Sequence, residues 1–379
     1  MTTWWLRTLA ITGLMAVSCG SARGVSTLPS SASASPTTIA SSAPVQNSCA
    51  AVQPAPQFPA SAPSSRNLAL VSLLGDNKLV VRDITDMNHP NTVGTVDVSS
   101  QPKFVNASDV SYLDQSGKLV RFAFSGTSRT IVAACASLFD WSRDGTSAVY
   151  LTQTDSGMDD LHQISAGEDR VLGSVPASGA GGCETIEGCA IANSVDFRLS
   201  YSPDGATISI VSSGFGQSVF RVLSSDGKLL KSSDSLGATM SVWSGNGLYF
   251  RDAAGVHVWR AGAVSTFLPG VAWIRPKASP TGGNVVYVAR DNLGWAHTYV
   301  VDTTTTIVRE LKTGRAEPVF LTSRYVWYKG ERECVPADGC GPNPPFHPLS
   351  GKTYIYDLQD GTETESIIAN VFDVWPHAA

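Results

Sequence analysis

The chain has 379 residues, a formal net charge of −5, 42% hydrophobic residues and 16% charged ones. That length can bury a substantial core, and the mild acidity without a long basic run speaks against a nucleic-acid partner, which needs a basic face for phosphate. Few charges alongside 34 Gly and 21 Pro fit a turn-rich all-β chain better than a helical one.

Residues 1–19, MTTWWLRTLAITGLMAVSC, read as an export signal: Arg7 precedes an apolar run from Leu9 to Val17, and small residues follow. The run is too short to span a bilayer comfortably. Its ending, Ala16-Val17-Ser18-Cys19-Gly20, resembles a bacterial lipobox, in which the cysteine is lipidated and becomes the mature N-terminus. That resemblance implies an acyl anchor on Cys19, a lipid bilayer as one partner, and a location on the cell surface or periplasmic side. The family usually has Leu where Ala16 stands, and Ala16-x-Ser18 also suits an ordinary signal peptidase, so plain secretion is the alternative.

Residues 20–66 are rich in Ser, Ala and Pro, as in SSASASPTTIASSAPV. Such a segment buries too little apolar surface to offset its ordering entropy and reads as a disordered tether. As a flexible coil it would reach roughly 35–40 Å. The folded domain is expected over 67–379.

From Asn67 onward a unit of three or four short alternating strands recurs. The first unit holds LALVSLL, KLVVRDI and TVGTVDV; the second, KFVN, DVSYLD, KLVRFAF and RTIVAA; the third, SLFDWS, SAVYLTQT, LHQISA and RVLGSV. The fourth holds SVDFRLSYS, TISIVSS, VFRVLS and KLLKSS; the fifth, TMSVWS, GLYFRD, VHVWRA and AVSTFL. The sixth holds VAWIRPKAS, NVVYVAR, HTYVVDT and TIVREL; the seventh, EPVFLTS, YVWYKG, TYIYDL and TETESI. Between first and second strands stand SRDG at 142–145, SPDG at 202–205 and SPTG at 279–282. Pro presets φ, Asp bonds its own backbone, and Gly takes the positive φ that reverses the chain. Only three strands fall in the first unit, and one remains after the seventh, ANVFDVW at 369–375, whose FDVW echoes FDWS and SVWS. Placed innermost in the first unit, it predicts a seven-bladed β-propeller of four-stranded blades, with no open edge around the ring. Strand boundaries leave six or eight blades as alternative counts.

The SPDG and SRDG turns with their flanking strands resemble the short repeats of TolB-like, WD40-like periplasmic β-propellers, with weaker copies at SGNG 244–247 and SPTG 279–282. The resemblance covers roughly 67–376. It implies the fold and a general habit of binding, and no site residues.

Cysteine usage agrees with export. Seven cysteines minus Cys19 leave six, an even number. Cys183 and Cys189 in CETIEGC, and Cys334 and Cys340 in CVPADGC, each enclose five residues that include a Gly, a loop that can close on itself. Cys49 and Cys135 remain as the third pair. C-x5-C is not common zinc spacing and no His pair accompanies it, so no metal site is expected there.

No G-x-S-x-G, H-E-x-x-H, Walker or dinucleotide-binding pattern occurs. Asn106-Ala107-Ser108 fits a glycosylation sequon but reads as a turn. In a blade, the loops after second and fourth strands share one face. That face collects the cysteine-bearing segments 174–194 and 330–350, together with 154–160, 213–217 and 291–295. Candidate contacts there are Asp155, Asp159, Asp160, Trp295, Phe346 and His347. The three aspartates raise calcium as a ligand, but their spacing matches no established loop, and no cofactor is expected. Trp295 is an exposed contact or packs over blade six. Trp141, Trp243, Trp273 and Trp375 recur on first strands and read as inter-blade packing.

The expected function is binding of an envelope protein, glycan or small ligand through the loop-rich face of a monomer. A propeller lyase or glycosidase is the enzymatic alternative, needing paired carboxylates or a His–Tyr group in the channel. A purely structural envelope component is the third reading.

Overall fold

The computed structural model describes residues 51, 55–58, 65–75, 78–96, 102–133, 135–153, 158–176, 196–214, 217–233, 237–245, 247–335, 338 and 347–376. Blade one contains β1 (Leu68–Leu73), β2 (Leu79–Asp83) and β3 (Asn91–Val96). Blade two is β4 (Lys103–Phe104), β5 (Asp109–Leu113), β6 (Leu119–Ala123) and β7 (Ser128–Val132); blade three is β8 (Ala136–Trp141), β9 (Ser147–Gln153), β10 (Met158–Ser165) and β11 (Glu168–Pro176). Blade four is β12 (Asp196–Tyr201), β13 (Thr207–Gly214), β14 (Gln217–Ser224) and β15 (Leu229–Ser232); blade five is β16 (Thr239–Ser244), β17 (Gly247–Asp252), β18 (Gly255–Arg260) and β19 (Ala263–Pro269). Blade six is β20 (Ile274–Ala278), β21 (Asn284–Arg290), β22 (Ala296–Asp302) and β23 (Val308–Thr313); blade seven is β24 (Arg315–Phe320), β25 (Tyr325–Glu331), β26 (Leu349–Asp357) and β27 (Glu363–Ser366).

The last strand, β28 (Ile368–Trp375), returns to blade one and pairs with β1, giving the order β28-β1-β2-β3. Leu68 faces Trp375, Leu70 faces Asp373 and Val71 faces Val371 across this antiparallel pair. The chain is a seven-bladed β-propeller, each blade a four-stranded antiparallel sheet. First strands lie innermost: β28 touches β4, and β8, β12, β16, β20 and β24 touch in series.

Burial explains why the ring closes. Every strand has one face turned to the next blade, and a separate apolar cluster fills each gap. Between blades one and two stand Leu68, Leu70, Phe104 and Val110. Between seven and one stand Ala69, Val71, Leu321, Trp327 and Ile368. Because the seven–one gap is filled like the others, the two chain ends share one core.

The repeated turn is the expected device. Gly145 and Gly205 both have φ of +70°. In each copy the serine hydroxyl bonds the aspartate two residues on and accepts the N–H five residues on, as in Ser202 to Asp204 at 2.5 Å and Thr207 N to Ser202 Oγ at 2.9 Å. Ser142, Asp144 and Ser147 repeat this geometry. Asn106 builds a local turn by accepting from the N–H of Ser108 and Asp109.

Two expectations need correction. The folded domain begins before Asn67: Ala51 bridges Val132, and Ala51 and Ala55 are buried in the core between blades two and three. Phe58 packs edge-on against Trp141 at 4.9 Å, with the Arg121 guanidinium over its ring. Polar, alanine-rich composition cannot sustain a core of its own, but small residues and one aromatic fit a groove that the blades supply. Trp273 is also out of register with Trp141, Trp243 and Trp375. It precedes β20, fully buried, and donates from Nε1 to Met240 O at 3.1 Å, joining blade six to blade five.

Candidate functional site

Antiparallel order places the connections after second and fourth strands on one face of the ring. Two of the predicted contact residues meet there. Trp295, after β21, stacks on His347, before β26, with ring centroids 3.5 Å apart and planes 13° from parallel. The stack joins the rims of blades six and seven.

A buried carboxylate braces it. Glu331, at the end of β25, has a fully buried side chain. It accepts from Arg290 Nη2 at 2.9 Å and from the Ala296 backbone N–H at 2.8 Å. Arg290 also donates to Gly294 O at 2.5 Å. Trp295 thus sits between two clipped neighbours. Asp291 completes the turn, accepting from the N–H groups of Leu293 and Trp295, both at 2.9 Å. His297 bridges Asp291 at 3.1 Å and Glu310 at 2.8 Å. Partial burial alone would lower the His297 pKa, but hydrogen bonds to these two carboxylates outweigh it and hold the pKa above the ordinary histidine value. Trp295 and His347 remain partly accessible, Leu293 is 67% exposed, and Nδ1 of His347 has no hydrogen-bond partner among the described residues.

The aspartates behave differently. Asp159 and Asp160 belong to β10 rather than to a loop, and Asp159 is 1% exposed. Neighbouring strand residues point to opposite sheet faces, so the two cannot hold one cation together. Asp160 instead accepts from Ser174 Oγ at 2.6 Å. Among the described residues no group of three or more His, Cys, Asp and Glu side chains could hold a metal. Cys135 and Cys334 are disulfide-bonded. Cys19, Cys49, Cys183, Cys189, Cys340, Asp155 and Phe346 lie outside the described residues.

The central channel supplies a second set of side chains that sequence reasoning did not single out. A cavity of about 580 Å³ runs along the inner strands, with residues from blades one to six in its wall. Asp373 accepts from the Phe104 N–H at 2.6 Å, and Asp140 from the Tyr201 N–H at 2.8 Å. Each carboxylate caps an inner-strand N–H of the next blade, which is why FDVW and FDWS echo each other. Lys103 Nζ bonds Asp140 and the Phe139 carbonyl, both at 3.2 Å, and Arg198 donates to Ser241 O at 2.9 Å. The Lys277 ammonium has no hydrogen-bond or ion-pair partner among the described residues. The side chain is exposed, within a cavity walled by the inner strands. Its pKa is drawn down to about 8 by loss of surrounding water and by repulsion from Arg198, Lys103 and Arg275, with Asp373 opposing.

Beside it the backbone is strained. Met240, Arg275 and Glu317 have φ of +48°, +50° and +55°, left-handed values unusual for non-glycine residues, at equivalent bulges of β16, β20 and β24. Arg275 pairs with Glu317, which also takes Lys329 at 2.8 Å. Burial alone would raise the Glu317 pKa, but Lys329 and Arg275 hold it below the ordinary glutamate value. A sequence signal existed: a charged residue followed by Pro occurs within two consecutive first strands, Arg275-Pro276 and Glu317-Pro318, and Pro inside a strand marks a bulge or an edge.

No protein-family model and no curated protein matches this sequence. Similarity to solved structures is widespread. One is from a study of two prolyl endopeptidases, at 11% identity and a TM-score of 0.55 over 83% of this chain and 50% of that one. Another is prolyl oligopeptidase B from Galerina marginata, at 10% identity and a TM-score of 0.52 over 80% of this chain and 47% of that one. TolB from Acinetobacter baumannii matches at 13% identity and a TM-score of 0.42 over 80% of each chain. This chain spans about half the length of the two peptidases. At these identities the likeness is one of fold alone.

Proposed function

We propose that this propeller is an exported binding protein that presents the rim of blades six and seven to an envelope protein, a glycan or a small ligand. The observation that carries this reading is the Trp295–His347 stack, half-open to solvent and held from beneath by the buried Glu331. A rigid aromatic on a braced loop contributes contact area at little entropic cost, which is why such residues anchor interfaces. Disulfides Cys334–Cys340 and Cys183–Cys189 would stiffen two more segments of the same face, and Cys49–Cys135 would secure the segment entering the domain. A lipidated Cys19 would tether the domain to a membrane, in which case Cys19→Ser releases it to the soluble fraction.

The test is binding of the purified domain to glycan and peptide arrays and to detergent-solubilised envelope extract, wild type beside Trp295→Ala. Truncating the anchor should weaken capture at least tenfold while circular dichroism stays unchanged. Equal capture by both proteins, or by neither, overturns the proposal.

A further inference from the structure

The central channel has a composition that the rim does not explain. Among the described residues its wall carries four cationic side chains, Lys103, Arg143, Arg198 and Lys277, against two acids, Asp140 and Asp373. Both acids are already engaged with backbone N–H groups of the neighbouring blade, and Asp140 with Lys103 as well. The cations converge from blades two, three, four and six, with Arg275 adding its field from the bulge beside Lys277. Like charges gathered around a confined space repel, and a fold gains nothing in stability from collecting them. Leu138, Leu199, Trp243, Pro276 and Phe372 supply apolar wall between them. A cavity of about 580 Å³ with an apolar lining and a few convergent charges has the size and chemistry of a small-molecule site.

From this geometry we infer that the channel binds a small polyanion, a molecule carrying two or more carboxylate or phosphate groups, with Lys277 as its principal contact and Arg198 and Lys103 flanking it. A polyanion would neutralise the surplus charge and give the unpartnered ammonium its hydrogen bonds. The depressed pKa of Lys277 describes the ligand-free channel: a bound anion reverses the electrostatic balance and draws a proton back onto the amine. The strained bulges at Met240 and Arg275 set the inner strands of blades five and six around this site, and bulges recur where a protein re-aims side chains at a ligand. The site is separate from the rim: no residue of the Trp295–His347 stack belongs to its wall.

Isothermal titration of citrate into the folded protein at low ionic strength tests the inference. Wild type should bind one citrate per chain, Lys277→Gln should bind at least tenfold more weakly, and Trp295→Ala should bind as wild type. Lys277 makes no bond that the fold needs, so its substitution should leave the melting temperature equal or higher. Raising the pH from about 7 to about 9.5 should weaken binding to wild type, as Lys277, which faces Arg198, Lys103, Arg275 and Asp373, loses its proton, and should leave Lys277→Gln unchanged. Citrate bound equally by wild type and Lys277→Gln overturns the inference, as does no detectable binding to the folded wild type at millimolar citrate. Loss of citrate binding in Trp295→Ala alone would place the anion at the rim and refute the channel site, without touching the rim's proposed role.

Discussion

Replacing Glu331 with Ala should destabilise the domain by about 3 kcal/mol. The carboxylate is fully buried and holds both Arg290, at 2.9 Å, and the Ala296 N–H, at 2.8 Å. Removing one partner of a buried ion pair costs about 3–5 kcal/mol, because the other charge is left uncompensated. An orphaned buried N–H adds about 1–3 kcal/mol. Two features pull the cost below that sum: Arg290 is 26% exposed, so water compensates part of its charge, and it keeps the Gly294 carbonyl. Glu331→Gln retains an acceptor of similar shape and should cost about half as much. Urea unfolding followed by tryptophan fluorescence gives both values. The midpoint should fall with the slope unchanged, and the Trp295 environment should loosen before the global transition. A Glu331→Ala protein within about 0.5 kcal/mol of wild type would refute the brace.

Two further outcomes follow from named groups. The raised His297 pKa means that its bridge to Asp291 and Glu310 stabilises fully below the ordinary histidine pKa and is lost as pH rises through the folded-state value. Asp291, Glu310, the Thr313 hydroxyl and the Tyr299 ring surround this imidazole, so the melting-temperature gap between wild type and His297→Gln should shrink between about pH 6 and about pH 9. A gap that stays constant or widens would show that the histidine does not carry the bridge. Asp373→Ala removes the acceptor of the Phe104 N–H and should cost about 1–2 kcal/mol, with faster amide exchange at Phe104; unchanged exchange there would show that the cap plays no part in joining blades one and two.

Much of the architecture was legible because blades repeat. Alternating β-branched strands and the Ser-x-Asp-Gly turn carry the fold locally, and the three-plus-one division of blade one follows from strand counting. What the sequence concealed depends on distance. Glu331 reads as one charge in GERE; its burial depends on Arg290 and Ala296, some 40 residues away in the chain. Lys277 reads as an ordinary surface lysine until the ring closes around it. Ala51 and Phe58 looked like tether because composition measures what a segment can bury alone, not which groove it can fill. Asp159 and Asp160 looked like a loop because the strand began earlier than its polar residues implied. Trp295 and His347 were found as separate candidates, and only the fold shows that they touch.

The most direct test of the proposed binding face is a photo-crosslinking residue placed at Leu293, which is 67% exposed beside Trp295, and in a parallel protein at Asp204, in a turn on the opposite face. The account predicts that a ligand or partner captured by the domain crosslinks from position 293 and not from 204. Crosslinking from 204 alone, or equally from both, would contradict it.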